Sequence, residues 1–366
     1  MQDTKYINIY KRKSKSNSKK SNQKIKSKEL KVLCKQMSIL LKSGCEITRI
    51  LNIVHEQSSK RLKNTIEEIS KNIKSGNNIT ESFSKTNLFS SFFINMLHSG
   101  EISGNLDKIM SDLASYYDGE EKIKSKIISM SIYPIILIIM FIVSACFVLV
   151  FIIPNFQMIF EANGINQPLP TKLLIQSSVF IREKFVFIAF VILFSILFIY
   201  YLVKYNIKAK YIKDKLTLKI PFIGEMIILL ITTRFCRTLN VLVESGVNII
   251  NAIDISSKVV DNTVVYERLL ISKDYIMKGN NISYSIDKAE IFSKSFISMI
   301  IIGEESGSLD NTLSITNDFY TEELNIKIEK AMKLAEPIVT VIIGLFIGLF
   351  VIAMVMPMFD AINSIQ

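Results

Sequence analysis

ISMSIYPIILIIMFIVSACFVLVFII, residues 128–153, carries no charged side chain. A helix of about 20 apolar residues crosses the ~30 Å of bilayer hydrocarbon, so this stretch predicts a transmembrane span. Two more follow: FVFIAFVILFSILFIYYLV at 185–203, and 335–356, with a single acid, Glu336, at its edge. Elsewhere Lys, Asn, Ser and Glu dominate. An apolar content of 49% over 366 residues is therefore concentrated in three runs, which is the pattern of a membrane protein and not of one buried core.

The lysines orient the spans. Residues 204–220 contain Lys204, Lys208, Lys210, Lys213, Lys215 and Lys219, the connection 154–184 has Lys172, Arg182 and Lys184, and nothing beyond 356 is basic. By the positive-inside rule the N-terminus and the region 204–334 are expected in the cytoplasm and the C-terminal tail outside. Most of the remaining net charge of +11 sits in residues 1–28, where ten lysines and arginines face one acid, Asp3. Such a tract cannot pack a core and is expected to be disordered and drawn to the anionic leaflet; direct nucleic-acid binding is not expected, since no aromatic-interleaved basic fold follows. It runs into an amphipathic helix and not into a cleavable apolar segment, so no signal peptide is read from it.

The cytoplasmic regions repeat each other. CKQMSILLKSG at 34–44 returns as CRTLNVLVESG at 236–246, an offset of 202; GNNI at 76 returns at 279, and GEISGNLD at 100–107 returns as GEESGSLD at 303–310, both at 203. The offset of 203 persists into the membrane, pairing Tyr117 with Tyr320, Pro134 with Pro337, Pro154 with Pro357 and Phe156 with Phe359. The duplicated unit is thus a domain plus the span that follows it, and the span at 185–203 is the extra element that keeps both domains on one side. Leu33, Met37, Leu40 and Leu41 have helical spacing, as do Phe235, Leu239, Leu242 and Val243. Gly44 and Gly246 supply left-handed stops, and the next helix begins at once, which makes an antiparallel hairpin. About six short helices per copy follow from this reading, with no strand pattern. The expected fold is all-α: a tail (1–28), cytoplasmic helical domain 1 (29–127), a span (128–153), an outer connection (154–184), a span (185–203), cytoplasmic helical domain 2 (204–334, its repeat at 235–334), a span (335–356) and an outer tail (357–366).

From about Leu30 onward the chain resembles the inner-membrane platform proteins of type II secretion, type IV pilus and competence pseudopilus systems. The resemblance rests on the duplicated helix ending in Ser-Gly, on the Gly-Glu-x-Ser-Gly-x-Leu box in both copies, and on Pro134 and Pro337 in the following spans. Longer members carry a further small N-terminal segment where the lysine tract stands here, so the likeness is to the shorter, competence-type members. It implies an assembly platform that couples a cytoplasmic hexameric assembly ATPase to extraction and polymerisation of pilin or pseudopilin subunits. It also implies contact with other inner-membrane assembly proteins and a homo-oligomeric state.

The boxes admit two readings. In the structural one, Gly100, Gly104, Gly303 and Gly307 permit tight turns, while Ser103 and Ser306 cap the helices that begin just after them. In the functional one, Glu101, Glu304 and Glu305 are exposed contacts for a cytoplasmic partner. A metal site is not expected, because no dense Asp/Asn ladder is present. Pro134 and Pro337 are expected to kink their helices near the cytoplasmic end, and Gly344 and Gly348 form a GxxxG that would allow close helix packing. The four cysteines are expected to be reduced fillers, and no cofactor is expected. His55 and His98 lack repeat partners, and no phosphate loop, HExxH or GxSxG occurs, so the chain is not expected to be an enzyme. A small-solute transporter is the alternative, but all three spans lack a central charge; a membrane-tethered signalling enzyme would need a nucleotide or metal motif. The topology predicts that a membrane-impermeant thiol reagent added outside intact cells labels a cysteine introduced at Asn163 or Gln366 and spares one at Asn280. Labelling at Asn280 would overturn the three-span arrangement.

Overall fold

The computed structural model describes residues 25–162 and 169–363. The tract 1–24, Asn163 and Gln366 lie outside these residues. Among the described residues every element is a helix, and they divide into two compact units. One comprises residues up to Ser125 together with Tyr211–Asn325, and the other Lys126–Lys210 together with Ile326 onward.

The first unit contains both copies of the repeat. Copy 1 runs α1 (Ser27–Lys42), α2 (Ile47–Gln57), α3 (Lys60–Lys74), α4 (Ile79–Lys85), α5 (Ser91–Ser103) and the start of α6 (Leu106–Phe147). On α1, Leu30, Leu33, Cys34 and Met37 form a buried stripe, and Gly44 ends the helix at φ 73°. After a π-helical turn (Val148–Ile152), α7 (Ile153–Ala162), α8 (Leu169–Tyr205) and α9 (Ile207–Lys219), copy 2 repeats the pattern. It runs α10 (Ile223–Glu244), α11 (Ile249–Val259), α12 (Thr263–Met277), α13 (Ile282–Asp287), α14 (Lys294–Glu305) and the start of α15 (Leu309–Asn363). Six helices per copy match the expectation. Aromatic packing is repeated too: Phe89 lies 4.6 Å from Phe93, and their equivalents Phe292 and Phe296 lie 4.7 Å apart, measured between ring centroids.

The two copies share one apolar core, and polar contacts tie them. The Glu120 carboxylate on α6 is 3.1 Å from Arg234 Nε and 3.7 Å from Arg237 Nη1 on α10. Arg237 also donates to Thr321 Oγ1 at 3.1 Å, and Tyr116 and Thr238 share a hydrogen bond of 3.3 Å. Gly119 makes room for this: a Cβ there would sit 2.6 Å from Arg237 Nη1. On α9, buried Asp214 accepts from the Thr263 N–H at 2.9 Å and hydroxyl at 2.8 Å, so it supplies the start of α12 with an acceptor from another helix.

In the second unit, α6 and α15 meet in register. Lys126 Nζ is 2.7 Å from Glu329 Oε1, and Tyr133 donates to Glu336 at 3.3 Å. Each pair spans 203 residues, the repeat offset itself, so equivalent positions face each other across a local two-fold axis. The π-helical turn beside them leaves the Leu149 carbonyl to accept from Ser178 on α8, and Thr171 on α8 donates to the Ala353 carbonyl on α15. Helices run unbroken through Pro134 and Pro337.

Three helical stretches are long and apolar enough to cross a membrane by length and composition: Leu106–Ala162, Ile223–Glu244 and Leu309–Met356. The first and third contain the runs 128–153 and 335–356. The middle one is α10, not the run 185–203, which lies in the 37-residue α8. Burial separates the two cases: the apolar window of α10 is 56% buried against 6% and 11% for the others, and Arg237 on it is ion-paired. An apolar helix covered by protein on most of its surface is a core helix. Removing the acid at the junction should leave two guanidinium groups in a largely dry site. Glu120→Ala is accordingly expected to destabilise the solubilised chain by roughly 3 kcal/mol, read by thermal melting, whereas Glu121→Ala should stay within about 0.5 kcal/mol of wild type.

Candidate functional site

The two boxes are built alike. Gly100 on α5 packs on α6 so closely that an added Cβ would lie 2.7 Å from Ile109 Cγ1; Gly303 on α14 would meet Thr312 Cβ on α15 at 3.0 Å. Gly104 and Gly307 turn the chain at φ 71° and 65°, a backbone region that L side chains rarely adopt. All four glycines serve the tight junction between these helices.

The serines do not cap the following helices. Helices α6 and α15 begin at Leu106 and Leu309, so the preceding positions belong to Asn105 and Ser308, and the left-handed glycine intervenes between them and Ser103 or Ser306. Ser103 is the exposed last residue of α5. Ser306 ends α14, pairing with Ser308 Oγ at 2.7 Å and donating to the Gly303 carbonyl at 3.4 Å.

Capping falls to the glutamates, and on a different helix. The carboxylate of Glu101 accepts from the backbone N–H of Ile79 at 2.6 Å and of Thr80 at 3.1 Å, the first turn of α4. Glu304 does the same for α13, accepting from Ile282 N–H at 2.6 Å, Ser283 N–H at 3.0 Å and the Ser283 hydroxyl at 2.6 Å. The first N–H groups of a helix have no partner within it, and a carboxylate satisfies them while favouring the positive end of the dipole. Burial alone would push the Glu304 carboxyl up, but the bonds from Ser283 and Ile282 outweigh it and hold the group below its ordinary 4.5. This tie between α5 and α4 was signalled in the sequence: GNNI precedes its box by 24 residues in both copies, from 76 to 100 and from 279 to 303. Repeated spacing of two motifs marks their contact.

Of the three glutamates proposed as partner contacts, only Glu305 is exposed; its equivalent in copy 1, Ile102, is 74% exposed. At the position after its half-buried structural glutamate each box displays an outward side chain, acidic in copy 2 (Glu305) and apolar in copy 1 (Ile102). In the span region, Gly344 and Gly348 face open space, with nothing within 4 Å of an added Cβ. Cys34 and Cys236 are buried, which pushes the Cys34 thiol up and that of Cys236 to about 12, and all four cysteines are free. Among the described residues no three His, Cys, Asp or Glu side chains gather in a way that could hold a metal ion.

The sequence was compared with known proteins. The model of the family "Type II secretion system (T2SS), protein F" matches twice, over residues 33–154 and 235–357, in the frame of the internal repeat. The type IV pilus assembly protein PilC of Thermus thermophilus is 30% identical over 340 residues, covering 92% of this chain and 84% of that protein. PilC of Pseudomonas aeruginosa is 27% identical, covering 94% and 92%. Type II secretion system protein F of Xanthomonas campestris pv. campestris is 27% identical, covering 90% and 82%.

The cap and the surface acid separate cleanly in a test. Glu304→Ala is expected to lower stability by about 1–3 kcal/mol by stranding the α13 N–H groups, while Glu305→Ala leaves it within about 0.5 kcal/mol. A carboxyl whose folded value is depressed stabilises the fold above its unfolded value and loses that contribution as pH falls. The gap between wild type and Glu304→Gln in a denaturant titration should therefore persist at pH 7 and narrow below about pH 4.5.

Proposed function

Because the chain belongs to the family of type II secretion system protein F, we propose that it is the inner-membrane assembly platform of a type IV pilus, type II secretion or competence pseudopilus machine. The observation that carries this reading is the double match of the family model, supported by pilus and secretion relatives aligned over nine-tenths of the chain. The platform anchors a cytoplasmic hexameric motor ATPase through its helical unit. Its spans, the apolar parts of α6, α8 and α15, engage pilin-like helices, so that ATP-driven movement extracts and polymerises the subunits. The N-terminus and residues 204–334 lie in the cytoplasm, following the lysine distribution. The chain contains no phosphate loop, so the energy is the partner's. The transporter alternative gains nothing from these three relatives, which are named for pili or secretion.

Glu305 is the acid we assign to the ATPase contact, in place of Glu304, whose carboxylate is already committed to α13. Charge reversal at an interface adds repulsion of several kcal/mol and slows encounter. Glu305→Lys is expected to melt with wild type, yet to lose co-purification with the motor ATPase and to assemble no filaments in cells lacking the native chain. A Glu305→Lys protein that retains the ATPase fully would remove this residue from the contact, and loss of filaments failing to follow deletion of the chain would refute the platform role.

A further inference from the structure

Within the cytoplasmic unit the two copies meet through different surfaces. Copy 1 offers Ser99 on α5 and a stripe of α6; copy 2 offers a stripe of α10. Ser99 donates to the Ser245 carbonyl at 2.6 Å, Lys108 lies 4.0 Å from Glu244, Tyr116 bonds Thr238, and Glu120 meets Arg234 and Arg237. If this contact were two-fold, the repeat offsets would bring Ile302 onto Ser43, Asn311 onto Lys42, and Glu323 onto Lys35. It is not: Ile302 is 60% exposed, and Lys35, Lys42, Ser43, Asn311 and Glu323 are exposed as well. A contact between unlike surfaces is head-to-tail and leaves one surface of each kind open.

We propose that the open α1 face of one molecule receives the open α14–α15 face of a second copy, repeating between chains the contact that joins the copies within a chain. The chemistry of the two open faces matches that of the closed ones. Lys35 with Glu323 takes the place of Arg237 with Glu120, keeping the sign of each charge. Ile39 on the α1 face, equivalent to Val241, is 57% exposed; on the other face Ile315, equivalent to Asp112, is 60% exposed and Phe319, equivalent to Tyr116, is 44% exposed. Apolar side chains this open on both faces are the composition of a protein interface. The inter-chain version also lacks the like charges of Asp112 and Glu244, since Ile315 and Lys42 stand there. A head-to-tail contact propagates as a ring or an open helix. Copies held in one bilayer share a plane, so this one closes into a ring. Ile102 remains exposed beside the contact within the chain, so its equivalent Glu305 stays outside the contact between chains and free for the ATPase.

The inference takes from the proposed function only the membrane in which the ring closes, and its test runs where filament assembly can be scored separately. Two differently tagged full-length chains, one carrying Ser43→Cys and the other Ile302→Cys, with Cys45 and Cys146 replaced by serine, are co-expressed and oxidised in native membranes. A mixed disulfide between the two tags is expected, with no product between two Ser43→Cys chains or two Ile302→Cys chains. Lys35→Glu or Glu323→Lys alone should lower the mixed product at least about tenfold, and the two together, one on each chain, should restore it. No mixed product, a product between like chains, or a charge swap that fails to rescue would each overturn the proposal. So would protection of the cysteine at 302 by the ATPase without any mixed product, which would assign the face to that partner. Filaments that assemble normally without the disulfide would reject the ring contact while leaving the platform role standing.

Discussion

A helix of six or seven residues is too short to hold itself in water, because nucleation is costly and most of its N–H and C=O groups have no partner along the chain. Both copies contain such a helix, α4 and α13, and both meet the deficit with a carboxylate brought from the following helix. That single demand fixes the rest of the domain. Glu101 and Glu304 reach their targets only if α5 and α14 lie across the start of the short helix, and those helices pack on α6 and α15 through Gly100 and Gly303, where an added Cβ would lie 2.7 and 3.0 Å from a neighbouring side chain. Paired phenylalanines, Phe89 with Phe93 and Phe292 with Phe296, pack at the start of α5 and α14. The box is thus a corner brace, and its conspicuous acid is internal.

Much of this architecture was legible in the sequence. The repeat offsets, the six helices per copy and the left-handed stops at Gly44 and Gly246 follow from periodicity and glycine chemistry, and they fold as read. The roles inside the box were less legible, because capping was sought locally. Ser103 stands three residues before its helix, two positions too far, and the acceptor for the short helix lies more than twenty residues away along the chain. Local pattern rules cannot see such a bond; the constant spacing of two repeated motifs can. Helix length and apolarity alone would also admit α10 as a span, beside the run 185–203 that the sequence reading chose. Helix α10 buries so much of its surface that its composition approaches that of a span, and its burial and paired arginines reveal where it sits.

The two units treat the duplication differently. In the first unit equivalent surfaces have diverged into a used pair and an open pair, so the copies are no longer interchangeable: Asp112 in one is Ile315 in the other, and Ile102 is Glu305. A substitution tolerated in one copy can therefore be harmful in the other even where the backbone is the same. The shared core imposes the opposite pressure, since both copies contribute to one continuous apolar cluster and neither can change its packing alone.

In the second unit the pairing of Lys126 with Glu329 carries a consequence for ancestry. The two residues occupy one position of the repeat. Two separate, identical half-length chains facing each other across the same axis would set lysine against lysine or glutamate against glutamate, and such pairs repel. Opposite charges at one repeat position require two diverged copies of the half, so this salt bridge postdates the duplication. It marks the copies as no longer interchangeable, each needing the other in a one-to-one ratio that a single chain then guarantees.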